Sequence, residues 1–288
     1  MSRAHDVPLA HPVEPARPAA AAALARRVAS VLVLLPLFVW MVVDGPLWLF
    51  GAVMVVAGAL GQWEFTGMFE RAGVRTFRLV GLGGGTLVTA SFALPIVAVA
   101  FTVVVLAVLV IGLLRAPAGR PAWEPVAVTL LGIVYVNWLV GHAFWLFDLE
   151  AGREWVLLLV SVTWLGETAA YLVGSTLGRH KLAPVISPRK TVEGALAQLV
   201  VSVLAALGAR AVFFPALSLE SAIVVGLLLG VVGQAGDLIE SAIKRSVGTK
   251  DTGRLIPGHG GVLDRVDSLL VNTPVLFYYA TYARSFGA

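Results

Sequence analysis

The densest polar run in the chain lies between Gly236 and Ser268. Asp237 stands inside an apolar segment, where a charge costs about 2.5–3.5 kcal/mol even on the mildest scale. Such an acid must pair, protonate or hold a cation. At helical spacing Asp237, Glu240, Ser241, Lys244 and Arg245 fall on one face. Either an acid–lysine brace between helices or a cation site satisfies that face. Asp264 and Asp267, three residues apart, share a face at the start of the last apolar segment. Carboxylates this close repel unless a cation sits between them. Carboxylates plus substrate phosphates are the usual way Mg²⁺ is held. Charge compensation at a helix N-terminus explains either Asp alone, but not Asp237 on the neighbouring helix. Between the two segments lies Pro257-Gly258-His259-Gly260-Gly261. Glycines let backbone N–H groups approach phosphate, and Lys244, Arg245, Lys250 and Arg254 add positive charge nearby. His259 suits a phosphate contact or a plain turn.

A second constellation runs from Glu167-Thr168-Ala169-Ala170-Tyr171 through Gly178-Arg179-His180-Lys181 to Ser187-Pro188-Arg189-Lys190-Thr191-Val192-Glu193-Gly194. Glu167 is another acid in apolar surroundings. The Ser187–Thr191 run is expected to form a turn carrying two cations, with Ser187 or Thr191 capping the next helix and Glu193 in its first turn. The sequence carries no Ser–His–Asp pattern, no His-Glu-x-x-His and no Walker loop. With no cysteine in the chain, thiol nucleophiles, disulfides and Cys-ligated metals are excluded. Acids and cations gathered at helix ends read as metal-assisted handling of a polyphosphate at a membrane surface.

The elements that position these residues follow from hydropathy. The 288 residues are 58% hydrophobic and 13% charged, with a mean hydropathy of +0.89 and a formal net charge of +4. One soluble core could not hide that much apolar surface. Apolar segments recur at 28–43, 46–62, 79–94, 95–114, 125–147, 155–177, 194–214, 221–243 and 267–283, each near the ~20 residues that cross ~30 Å of hydrocarbon. They lack the alternation of barrel strands, so they are expected to be helices. The predicted fold is an all-α polytopic transmembrane bundle of about nine helices with its N-terminus inside. With that orientation, 18 of the 21 Lys and Arg residues fall in inside segments, as the positive-inside rule requires. Residues 1–27, rich in Ala and Pro, are expected to form a disordered cytoplasmic tail. Residues 28–154 form N-terminal transmembrane helices, and 155–288 a catalytic transmembrane region with cytoplasmic loops.

The run from Ser241 to Asp267 resembles the C-terminal signature of the phosphatidate cytidylyltransferases: Ser-x-x-Lys-Arg, Lys-Asp, then Pro-Gly-His-Gly-Gly-x-x-Asp-Arg-x-Asp. The upstream Ser-Pro-Arg-Lys-Thr-x-Glu-Gly stretch is similar to that family's too. One departure is Glu167, where the family usually carries Asp. The resemblance implies transfer of the cytidylyl group of CTP to phosphatidic acid, giving CDP-diacylglycerol and pyrophosphate for phospholipid biosynthesis. It implies Mg²⁺ and a second metal such as K⁺. The expected partners are CTP, phosphatidic acid and membrane lipids, with a homodimer in the cytoplasmic (inner) membrane and no nucleic acid. By family likeness Asp237, Lys190, Lys250 and Asp264 are catalytic, and Asp237, Asp264, Asp267 and Asp251 hold metal. Ser187, Arg189, Ser241, Lys244, Arg245, His259, Gly260 and Arg265 would bind substrate. Two rivals remain. A CTP-dependent polyprenol kinase would release CDP instead of pyrophosphate. An ion-coupled transporter would use Asp237 and Glu167 as an ion path, but the polar residues cluster on one side and no inverted repeat is visible.

Overall fold

A computed structural model describes residues 35–115, 123–253 and 260–283. Helix α1 covers 35–43 within them. Then come α2 (Leu47–Arg71), α3 (Arg78–Ser91), α4 (Val97–Leu114) and α5 (Trp123–Gly132). A π-helical turn, Ile133–Trp138, joins α5 to α6 (Leu139–Asp148) without a break. Helices α7 (Gly152–Thr176), α8 (Val192–Val212), α9 (Leu219–Ser246) and α10 (Leu263–Tyr282) complete the bundle.

Each predicted span corresponds to one helix. Six of the described helices are long and apolar enough by themselves to cross a membrane, counting α5 to α6 as one. The other three fall short for identifiable reasons. The start of α1 lies outside the described residues, α3 has 14 residues, and α10 carries Asp264, Arg265, Asp267 and Asn272. The largest boundary difference is in α2, which continues to Arg71 where the reading ended at 62. Its last turns bury Glu64, Phe65, Met68 and Phe69 against neighbouring helices instead of facing lipid.

The distribution of side chains suits lipid as solvent. Leu79, Leu113 and Leu114 point outward, whereas Gln62, Asn137, His142 and Asn272 are buried. Two of these pair across helices: Asn137 Nδ2 donates to Thr89 Oγ1 (3.1 Å) and Asn272 Nδ2 donates to Thr163 Oγ1 (3.0 Å). Between helices surrounded by lipid, close packing supplies much of the association. Gly226 of α9 lies so near α8 that an added Cβ would meet Val203 Cα at 2.5 Å.

The loops segregate to two ends. At one end Arg71 of α2 donates to the carbonyl of Thr252 (2.6 Å), and Arg78 pairs with Glu70 (3.0 Å). The α7–α8 and α9–α10 connections meet there too, where Arg245 donates to the carbonyl of Ile186 (3.4 Å). At the other end Arg153 donates to the carbonyl of Val43, and Arg210 Nε to that of Leu217 (2.9 Å). Among the described residues, the basic connections α2–α3, α7–α8 and α9–α10 therefore gather at one end of the bundle, while residues 1–34 and 116–122, which the charge pattern assigned to the same side, lie outside the described residues.

Candidate active site

The expected turn before α8 is a β-hairpin. Strands β1 (Lys181–Ala183) and β2 (Ser187–Thr191) pair antiparallel, with Lys181 opposite Thr191 and Ala183 opposite Ser187. Thr191 ends the hairpin and caps α8 by accepting from Gly194 N (3.1 Å). Glu193, in the first turn of α8, reaches back instead of capping. It accepts from Arg179 N (3.1 Å) and pairs with His180 Nδ1 (2.6 Å). Neighbouring strand residues face opposite ways. Arg189 is accordingly exposed, while Lys190 turns inward and sets its Nζ 2.6 Å from Asp237 Oδ2 on α9.

The helical face read from the sequence exists as expected. Ser241 Oγ donates to Asp237 Oδ1 (3.3 Å), and Lys244 Nζ donates to Glu240 Oε2 (3.0 Å). Lys244 also reaches Asp264 Oδ1 on α10 (2.9 Å), binding the two helices together. Asp264 is heavily engaged. Besides Lys244 it accepts from Thr252 N (3.0 Å), Thr252 Oγ1 (2.9 Å) and Gly261 N (2.8 Å). Gly260 takes φ +81°, a left-handed conformation that glycine alone adopts without strain. An added Cβ there would come within 2.8 Å of Asp264 Oδ2.

Asp267, one turn further along α10, accepts from Ser268 N (2.7 Å) and lies against the carboxylate of Glu240. Glu240 is 1% exposed, and its Oε1 has no hydrogen-bond donor. Glu167 of α7 approaches Asp267, Ser268, Asp237 and Lys190. Five acids from three helices thus converge with two lysines. The remaining candidates lie around them. Lys250, Asp251 and Arg245 are exposed in or beside the α9–α10 loop, Ser187 is half-buried in β2, and Arg265 is exposed at the start of α10. His259 lies outside the described residues.

Beside this cluster a cavity of about 760 Å³ lies between α1, α2, α6, α7 and α10. Its walls are apolar, with Phe38, Phe50, Met54, Leu159 and Trp164 among them. Glu167, Asp264, Arg265 and Asp267 line its polar end.

Residues 25–283 match the model of a family described as the Cytidylyltransferase family. The chain belongs to that family. It is 40% identical to the phosphatidate cytidylyltransferase of Staphylococcus aureus (strain COL) over 159 residues, which are 54% of this chain and 60% of that one. The corresponding enzyme of Staphylococcus haemolyticus (strain JCSC1435) is 38% identical over the same shares. The uncharacterized protein YnbB of Escherichia coli (strain K12) is 40% identical over 156 residues, 52% of each chain. The matched region thus spans between half and 60% of these relatives' length.

Within this cytidylyltransferase family member, no three acidic or imidazole groups close around a single point among the described residues. The donor set nevertheless fits a hard cation. It consists of carboxylate oxygens, one of them the buried Glu240 Oε1 that lacks a donor. Mg²⁺ bound with a nucleotide typically takes one or two protein carboxylates and fills its shell with phosphate and water. Glu240 lies on the expected face of α9, and Thr252 joins the site as a further contact that no motif marks. The signal for Glu240 was its i,i+4 spacing to Lys244. Nothing local marks Thr252, because its partner Asp264 comes from the next helix.

Proposed function

We propose that this protein transfers the cytidylyl group of CTP to phosphatidic acid, releasing pyrophosphate and leaving CDP-diacylglycerol in the membrane. One observation carries the reading: the acid–lysine cluster of α7, β2, α9 and α10 borders the polar end of an apolar cavity. A substrate with acyl tails and an anionic head needs that combination. Membership of the Cytidylyltransferase family and likeness to phosphatidate cytidylyltransferases support the choice of nucleotide and lipid.

In this reaction a phosphate oxygen of the lipid attacks the α-phosphorus of CTP. The bond from that phosphorus to the oxygen bridging it to the β-phosphate breaks, and both electrons leave with pyrophosphate. The nucleophile is already anionic at neutral pH, so no strong base is needed. The barrier comes from bringing two anions together, and positioning plus fixed positive charge lowers it. Lys190 and Lys244, held by Asp237, Glu240 and Asp264, supply that charge on rigid elements. Lys250, Arg245 and Arg189 add cations at the exposed rim, and Arg265 stands where a lipid phosphate would enter. Asp237 and Asp267 would hold Mg²⁺, which when bound would supply charge neutralisation to the phosphates. Asp264, which accepts from Lys244, Thr252 and Gly261, would hold the loop and Lys244 in place. The proposal includes a homodimer in the cytoplasmic (inner) membrane with the basic end facing the cytoplasm, in keeping with the bias of Lys and Arg.

The test uses purified protein in lipid–detergent micelles with phosphatidate, Mg²⁺ and CTP labelled in the cytosine ring. Labelled lipid and free pyrophosphate, appearing together and only with Mg²⁺, are expected. Labelled CDP released in the presence of a lipid alcohol would replace this reading with a kinase. Folded protein that turns over no lipid at all would overturn it.

A further inference from the structure

We infer that Glu64, in the N-terminal half of the chain, is a positioning residue that fixes the substrate-binding loop between α9 and α10. The inference rests on the proposed cytidylyl transfer for its kinetic consequence and on geometry for the rest.

Glu64 sits in α2 and is 3% exposed. Its Oε2 accepts from Leu263 N at 2.9 Å, across 199 residues of sequence. Leu263 opens α10, and the first N–H groups of a helix have no partner within it. Glu64 therefore caps α10 from another helix, and the positive end of the α10 dipole favours its charge. The two described ends of the loop lie tight against the carboxylate. A Cβ added at Gly253 would meet Glu64 Oε1 at 2.4 Å, and one at Gly261 would meet Oε2 at 2.4 Å. Glycine at both positions lets the backbone pack directly on the acid.

A buried carboxylate is costly to keep unless its surroundings need it. Here it fixes both ends of one device. Thr252 and Gly261 donate to Asp264 from either side of the loop, and Arg71, two turns along α2 from Glu64, donates to the carbonyl of Thr252 (2.6 Å). Helix α2 thus grips the loop through two side chains. Asp264 in turn fixes Lys244. Phe50 and Met54, also on α2, line the apolar cavity. One helix thereby holds the lipid-side wall and the loop in a fixed relation. Glu64 does not touch the reacting groups and acts through the loop.

Two variants and two readouts test this. Glu64→Gln keeps the shape and one acceptor, while Glu64→Ala removes the cap. With the protein folded, kcat/KM for CTP is expected to fall about 100-fold in Glu64→Ala, the scale of an ångström of misplacement, and clearly less in Glu64→Gln. Hydrogen exchange, followed without substrate, is expected to quicken at the amides of Thr252, Gly261 and Leu263 while α7 and α8 keep their protection. Unchanged kcat/KM in Glu64→Ala overturns the inference, as does exchange that quickens equally throughout the bundle. If Glu64→Ala does not fold, Glu64→Gln decides: parental exchange at those three amides together with parental kcat/KM overturns it. Should the unaltered protein turn over no phosphatidate, the functional reading fails alone, and exchange at the three amides still tests the clamp.

Discussion

Lys190 of β2 and Asp237 of α9 form a 2.6 Å ion pair that joins the two polar constellations of the sequence into one site. The brace and the cation site, considered separately as explanations of Asp237, become one arrangement. The lysine balances the acid in an apolar bundle and remains partly exposed, where phosphate can reach it.

The first prediction concerns that pair. Asp237→Ala and Lys190→Ala are each expected to lower kcat/KM by at least about 100-fold, since each removes positioned charge from the reacting phosphates. The double variant should be little worse than the poorer single one, because residues of one network are not additive. Steady-state assays on correctly inserted protein check this. Near-normal turnover in either single variant would remove that residue from the site.

Lys244 gives a prediction about stability. It neutralises Glu240 and Asp264, with only 13% of its own side chain exposed. Lys244→Met leaves two buried carboxylates without their cation, and removing one partner of a buried pair costs about 3–5 kcal/mol. A large drop in thermal midpoint in micelles is expected, together with loss of turnover. A midpoint equal to the parent's would mean that another group compensates the acids.

Lys250 should behave differently. It is exposed in the α9–α10 loop, so Lys250→Ala should leave the midpoint unchanged. A charge-assisted contact to phosphate is worth about 1.5–3 kcal/mol, so KM for CTP should rise about tenfold or more, with kcat less affected. Identical kinetics would take Lys250 out of nucleotide binding.

Two glycines separate packing from propensity. Gly226→Ala forces a methyl to within 2.5 Å of backbone on α8, whereas at Gly208 nothing lies within 4 Å. Overpacking of this kind costs about 1–3 kcal/mol, while Gly208→Ala should be neutral or stabilising by up to ~1 kcal/mol. Thermal unfolding of both variants decides between these outcomes, and equal midpoints would show that α8 and α9 separate easily.

By itself the sequence determined the helices and the face of α9. Nine apolar segments correspond to nine helices among the described residues, six of them long and apolar enough to cross a membrane, because segment length and hydropathy answer to the thickness of the bilayer. The relations among Asp237, Ser241, Glu240 and Lys244 were legible because they are one turn apart, and helical geometry brings i and i+4 together whatever else happens. The family motif located the loop and both constellations. The hairpin was not legible: Ser187–Thr191 is polar and short, and its strand character comes from pairing with Lys181–Ala183. Glu64 escaped because α2 continues past the apolar run that marked its span. Which lysine meets Asp237, how completely Asp264 is occupied, and that α2 grips the loop are contacts between distant segments. Only tertiary packing decides these, since helical spacing orders a residue's own helix and says nothing about which neighbour lies against it.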